Sequence, residues 1–137
     1  MATKLTREQL MKYNSKMGNG FRLDTRSLMF HNLKEPVKHV EIDNERYIEF
    51  KFCYLDEKLD RYTKTGNKVP TLHISLWKNC GNGMAQSNGI GAWLTVGESV
   101  KRGTLSVLTK YTHEYSEAKL MDIAERNMGQ LKKETVF

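Results

Sequence analysis

Two tryptophans, Trp77 and Trp93, lie in segments that alternate apolar and polar residues. In the segment TLHISLW, Trp77 and His73 fall on one side of the alternation and the aliphatic residues on the other. Trp93 likewise falls opposite the aliphatic residues of IGAWLTV. Because side chains alternate across a strand, each strand would present an aliphatic face and an aromatic, polar face. Aromatic rings on such a face stack the bases of single-stranded nucleic acid, for about 1–3 kcal/mol per base.

Basic residues are concentrated around these segments. Residues 61–110 contain seven Lys/Arg against one Asp/Glu, and the whole chain has a net charge of +6. Lysine and arginine neutralise phosphates, so this excess favours a polyanionic partner, DNA or RNA. The residues that we predict to bind single-stranded nucleic acid are Trp77, Trp93, His73, Lys51, Lys78, Arg61, Lys64, Lys68, Lys101 and Arg102.

The tryptophans also allow a structural interpretation, as a second core layer or a homodimer interface. Tryptophan dominates the binding energy of many protein interfaces. The alternative function is therefore a small protein-interaction module, such as a phage- or mobile-element-encoded inhibitor that covers a nucleic-acid-binding site on a host complex.

An enzymatic function has weaker support. The segment His73–Ser75 resembles one half of the motif of two-histidine phosphoesterases, whose chemistry needs two facing histidines as base and acid. None of the other three histidines is followed two residues later by serine or threonine. A phosphoesterase or nuclease is thus a third alternative. An acidic hairpin could provide a metal site for a nuclease, but we interpret this hairpin as a solvated turn. The acidic residues of this hairpin are Glu41, Asp43, Glu45 and Glu49.

No cofactor or metal site is predicted. Cys53 and Cys80 are far apart in the chain, and neither they nor the histidines show the short paired spacing of structural zinc ligands. The glycine-rich segment Cys80–Gly91 matches neither the Walker A pattern nor the dinucleotide fingerprint. We expect it to be a flexible hairpin loop.

The local patterns predict the elements that would position these residues. Thr6 and Gln9 form a capping box for a helix over residues 7–17, and Ser116 is the expected N-cap of a C-terminal helix. Strands are expected in the two tryptophan segments, at Val37–Asp43, Arg46–Tyr54 and Thr104–Tyr111, with one more possible in Phe21–Leu33. Leu55–Val69 is polar and charged, and is expected to be a long, mobile basic loop.

These elements predict one α+β domain over residues 1–137: an antiparallel meander of about five strands with an N-terminal and a C-terminal helix packed on one face. The order of elements resembles that of the Whirly and transcriptional-coactivator class of single-stranded DNA binders, and the resemblance implies DNA binding but transfers no residue. The first 30 residues contain no apolar run of signal-peptide length, and no stretch approaches a membrane helix. We therefore expect a cytoplasmic protein without membrane contact, forming a homo-oligomer.

Overall fold

The structure, a computed structural model, describes residues 6–23, 35–81 and 84–128. Within these ranges the chain forms three helices and one antiparallel sheet of five strands, which neighbour one another in chain order. The elements are α1 (Arg7–Lys16), β1 (Arg22–Leu23), β2 (Pro36–Glu41), β3 (Arg46–Lys58), β4 (Lys64–Gly81), β5 (Met84–Thr95), α2 (Leu105–Glu114) and α3 (Glu117–Met128). The α+β meander is confirmed. The possible strand in Phe21–Leu33 is present only as β1, and its remainder lies outside the described residues.

The core lies on one face of the two central strands. Three apolar residues of β3 pair in register with three of β4, and all six are fully buried. The pairs are Ile48 with Leu76, Phe50 with Ile74, and Phe52 with Leu72. The period-2 alternation of both segments produces this face, because it places every second side chain on the same side of the sheet.

Helices α2 and α3 cover this apolar face. Leu108 from α2 and Leu120 from α3 are buried in the same cluster. The ring of Phe52 lies 5.9 Å from that of Tyr111 and 5.4 Å from that of Tyr115, measured between centroids. The C-terminal helix is confirmed, and no described helix is long and apolar enough to cross a membrane.

The strand expected at Thr104–Tyr111 is wrong, because this segment forms α2. Thr104 is the helix N-cap, and its side chain accepts a hydrogen bond from the backbone N–H of Val107. The β-branched residues of the segment favour a strand, yet its apolar residues also satisfy helical spacing, with Leu108 and Thr112 buried. Packing on the sheet decides between the two patterns.

The mobile loop expected at Leu55–Val69 is also wrong. Strand β3 continues to Lys58 and β4 begins at Lys64, so the chain forms a long hairpin, the β3–β4 arm. The carboxylate of Asp60 fixes its turn by accepting hydrogen bonds from the backbone N–H groups of Tyr62 and Thr63, at 2.8 and 2.9 Å. The flexible loop expected at Cys80–Gly91 is wrong for the described residues of this segment, since β4 ends at Gly81 and β5 begins at Met84.

Helix α1 is confirmed with its capping box, although it ends at Lys16. It contains no buried residue and is held by its C-terminal end. There the amide of Asn19 (φ 56°) donates to the carbonyl of Thr112 at 2.8 Å, and Asn14 accepts a hydrogen bond from the backbone of Leu23 at 2.8 Å.

Candidate nucleic-acid interface

Trp77 and Trp93 lie on the same side of the sheet, opposite α2 and α3. Trp93 is the direct cross-strand partner of His73, which shares a face of β4 with Trp77. We call this side the tryptophan face. Its central members are His39 on β2, Tyr47, Glu49, Lys51 and Cys53 on β3, Thr71, His73, Ser75 and Trp77 on β4, and Gly91, Trp93 and Thr95 on β5.

The rings of Trp93 and His73 form a stacked pair. Their centroids are 3.8 Å apart, and their planes are inclined by 20°. Trp93 is nevertheless 56% exposed, because it lies on β5, the last strand of the sheet. One surface of the indole is therefore braced by the imidazole, and the rest is open to solvent.

His73 is held in its neutral form at pH 7. Burial lowers the pKa of His73 below its ordinary value of 6.5, and the nearby positive charge of Lys51 lowers it further, against a smaller opposing effect of Glu49. The stack is thus a contact between two neutral rings. Position 91 beside the stack requires glycine, because a Cβ there would lie only 2.8 Å from the carbonyl oxygen of Ile74.

Trp77 has a different environment. It is half-buried, and its indole N–H donates to the hydroxyl of Ser75 at 2.7 Å. Its cross-strand partner is Tyr47, whose ring lies 4.6 Å from that of His39 between centroids. Trp77 therefore belongs to a partly buried aromatic group rather than to an open stacking surface.

A buried carboxylate lies between the two aromatic groups. Glu49 is 2% exposed, and its oxygens are 3.1 Å from the imidazole of His39 and 3.6 Å from the ammonium of Lys51. Lys51 is also 3.6 Å from Glu35. The interpretation of Glu49 as part of a solvated acidic hairpin is wrong. Its alternation with Tyr47 and Lys51 was the signal that it belongs to this face.

Burial on the tryptophan face falls from the centre towards β5. Cys53, Thr71 and Ser75 are buried on the central strands, whereas Trp93 and Thr95 on β5 are exposed. Among the described aromatic residues of this face, Trp93 is therefore the one most exposed to a large ligand.

The predicted basic residues lie in several places. Lys51 faces His73 directly. Lys78 points away from the tryptophans, because it alternates with Trp77 on β4. Lys64 and Lys68 are in the β3–β4 arm, 3.2 and 2.5 Å from Asp56.

The remaining predicted cations are exposed. Arg61 is in the turn of the arm, with its guanidinium 5.7 Å from the ring centroid of Tyr62. Lys101 and Arg102 follow Val100, whose backbone pairs with that of Lys68 beyond the end of β5. Because Lys68 is five residues before His73, these two cations lie on the order of 15–20 Å from the aromatic stack.

The acidic hairpin does not form a metal site among the residues that the structure describes. Asp43 accepts hydrogen bonds from the backbone N–H groups of Glu45 and Arg46 and from the Arg46 guanidinium. No three His, Cys, Asp or Glu side chains within the described ranges are grouped as metal ligands.

No family model, curated protein or solved structure matches the chain. The tryptophan face is interpreted from its own geometry.

Proposed function

We propose that the protein binds single-stranded nucleic acid through the Trp93–His73 stack. The observation that carries the proposal is a tryptophan that is 56% exposed while one of its ring surfaces is braced by a neutral imidazole at 3.8 Å. A base that stacks on this ring gains about 1–3 kcal/mol, and the bracing reduces the conformational entropy lost on binding.

The phosphates are proposed to run from this stack towards Lys101 and Arg102. Both side chains are exposed and follow the end of β5 in the chain. Lys51 contributes less, because Glu49 and Glu35 already offset its charge. Two phosphate contacts to a single strand give a slope of roughly −1.4 for the logarithm of the binding constant against that of the salt concentration.

Tryptophan fluorescence of a Trp77→Phe variant tests this proposal, because Trp93 is then the only tryptophan in the chain. Titration with a short oligodeoxythymidine at low salt is expected to quench the signal, and added salt should reverse the quenching. Replacement of Trp93 by alanine should weaken binding roughly 5- to 150-fold, measured by anisotropy of a labelled oligonucleotide. An oligonucleotide that fails to bind at low salt, or binds the folded Trp93→Ala variant with unchanged affinity, would overturn the proposal.

Lys101→Gln/Arg102→Gln is the matched test of the phosphate path. It should flatten the salt dependence while leaving the quenching of Trp93 at saturation intact. Asn44→Lys is a control that adds an exposed charge in the β2–β3 turn, away from this path.

The tip of the β3–β4 arm favours a second candidate, a protein-interaction module. Leu59 and Tyr62 are 75% and 83% exposed there, on a turn that Asp60 holds in place. Tyrosine is enriched among the residues that dominate the binding energy of protein interfaces, and Leu59 adds apolar surface on the same turn. If no oligonucleotide binds, loss of a cross-linked partner in Leu59→Ser/Tyr62→Ser would support this candidate. A cytoplasmic location is proposed for either function.

A further inference from the structure

The β3–β4 arm projects beyond the rest of the sheet. Within the described residues, β2 pairs with β3 no further along than Lys51, and β5 pairs with β4 from Thr71 onwards. Among these residues the arm strands pair with each other and, at Lys68, with Val100. The four residue steps from Lys68 to Lys64 carry the arm roughly 13 Å past this bridge before its turn begins.

The carboxylates of the arm are used within the arm. That of Asp60 holds the turn, and that of Glu57 accepts hydrogen bonds from two side chains of β4, both at 3.0 Å. Asp56 pairs with Lys64 and Lys68. The negative charges of the arm therefore serve its own fold.

Two cations at the tip of the arm have no such partner. Lys58 and Arg61 are exposed, and neither forms an ion pair with a carboxylate of the described residues. Lys58 is moreover the cross-strand partner of Lys64, and like charges directly opposite each other destabilise a hairpin. The fold of the arm therefore does not require the charge of Lys58.

The shape and charge of the tip identify a ligand. Lys58 lies on one strand of the ribbon, Lys64 on the other, and Arg61 in the turn between them. A two-stranded ribbon fits the major groove of B-form DNA, which is about 12 Å wide and 8.5 Å deep. Phosphates line both sides of this groove, so cations on both edges of the ribbon match a duplex better than a single strand.

We propose that the β3–β4 arm binds double-stranded DNA by entering its major groove. Lys58 and Lys64 then face phosphates on the two sides of the groove. The exposed side chains of the turn, Leu59, Arg61 and Tyr62, reach towards the base edges. The turn is preorganised for this contact, because its backbone is closed by a hydrogen bond from the N–H of Leu59 to a carbonyl at 2.9 Å.

This site is separate from the Trp93–His73 stack. Nine residue steps of β4 separate Lys64 from His73, a distance of about 30 Å. Lys101 and Arg102 follow Val100 at the base of the arm, where they lie between the two sites. Duplex binding by the arm therefore does not rest on the stacking of a single strand.

Fluorescence anisotropy of a labelled, blunt-ended DNA duplex of about 20 base pairs, titrated at several salt concentrations, tests this assignment. Each phosphate contact to B-form DNA contributes about −0.9 to the slope of the logarithm of the binding constant against that of the salt concentration. Lys58→Gln/Arg61→Gln should therefore flatten this slope by about 1.8. The same relation predicts a loss of affinity on the order of 60-fold at 0.1 M salt.

Lys12→Gln/Lys16→Gln is the matched control. It removes the same charge from exposed positions of α1, which is joined to the opposite edge strand, β1, through Asn14. Its affinity and its salt slope should stay close to those of the wild type. A wild type that does not bind the duplex at low salt, or equal losses in both double variants, would overturn the assignment.

Two comparisons locate the duplex on the protein. An RNA duplex of the same sequence should bind more weakly, because the major groove of A-form RNA is too narrow and deep for side chains to read. Trp93→Ala should bind the DNA duplex as the wild type does. Equal affinity for both duplexes would exclude groove entry, and a loss in Trp93→Ala as large as in Lys58→Gln/Arg61→Gln would place the duplex on the tryptophan face.

The single-strand and duplex sites can fail independently, because oligodeoxythymidine and the duplex are titrated separately. Oligodeoxythymidine that does not bind while the duplex does would overturn the stacking proposal alone. A tip that cross-links to a protein while the duplex does not bind would overturn the present assignment and favour the protein-interaction module.

Discussion

Replacing Glu49 by glutamine should destabilise the protein by about 2 kcal/mol. The carboxylate is 2% exposed and contacts the imidazole of His39 and the ammonium of Lys51. Removing one partner of a buried ion pair typically costs about 3–5 kcal/mol, because the other charge remains buried and unpaired. Here the side chain of Lys51 is 16% exposed, so water can solvate part of its charge. The amide also retains one acceptor oxygen, which reduces the cost further.

The assay is urea denaturation followed by circular dichroism, which yields the free energy of unfolding of each variant. Glu45→Gln is the matched control, since it removes the same charge from an exposed turn position and should change that free energy by less than about 0.5 kcal/mol. The double variant Glu49→Gln/Lys51→Met should be less destabilised than the sum of its single changes, because the ammonium that has lost its contact with Glu49 is then absent.

A loss in Glu49→Gln no larger than in Glu45→Gln would refute the reasoning. It would mean that Glu49 is solvated in solution and that the centre of the tryptophan face is open. If the changes in the free energy of unfolding of the two single variants add up in the double variant, Lys51 is not coupled to this carboxylate.

Three further predictions concern single side chains. Burial lowers the pKa of His73 in the folded chain, so as the pH falls His73 is protonated in the unfolded chain before it is protonated in the folded one. The free energy of unfolding should therefore fall as the pH drops below about 6.5. The decrease should be smaller in His73→Phe, and an equal pH dependence of urea denaturation in both proteins would contradict it. Burial raises the pKa of Cys53 to about 12, so Ellman's reagent at pH 8 should titrate only the exposed Cys80 in the folded chain and both thiols in urea. The Tyr54 hydroxyl donates to the carbonyl of Thr104 at 2.6 Å and accepts from its backbone N–H at 3.0 Å. Tyr54→Phe should therefore cost about 1 kcal/mol in urea denaturation, and an unchanged midpoint would show that water replaces both bonds.

The central hairpins could be predicted because their chemistry is local. Apolar and polar side chains alternate along the central parts of β3 and β4, and a one-residue shift in register would move the whole apolar set to the other face. The pairing of Phe50 with Ile74 satisfies this constraint. The capping box at Thr6 is equally local, since both of its hydrogen bonds lie within four residues.

The β3–β4 arm and α2 could not be predicted in the same way. Asp56 pairs with Lys64 and Lys68 across the arm, so its stability comes from contacts between residues that the sequence separates. A charged segment without an apolar face resembles a loop until its partner strand is known. In α2 two patterns fit the same residues, and only the apolar face of the sheet selects the helical one.

The two tryptophans show why the candidate site was only partly predictable. Both occupy the same kind of position in an alternating segment, and the sequence provides no reason to separate them. Strand order separates them: Trp77 lies on β4 between two neighbouring strands, whereas Trp93 lies on β5 at the edge of the sheet. Neighbours on both sides half-bury Trp77, and the edge leaves Trp93 exposed.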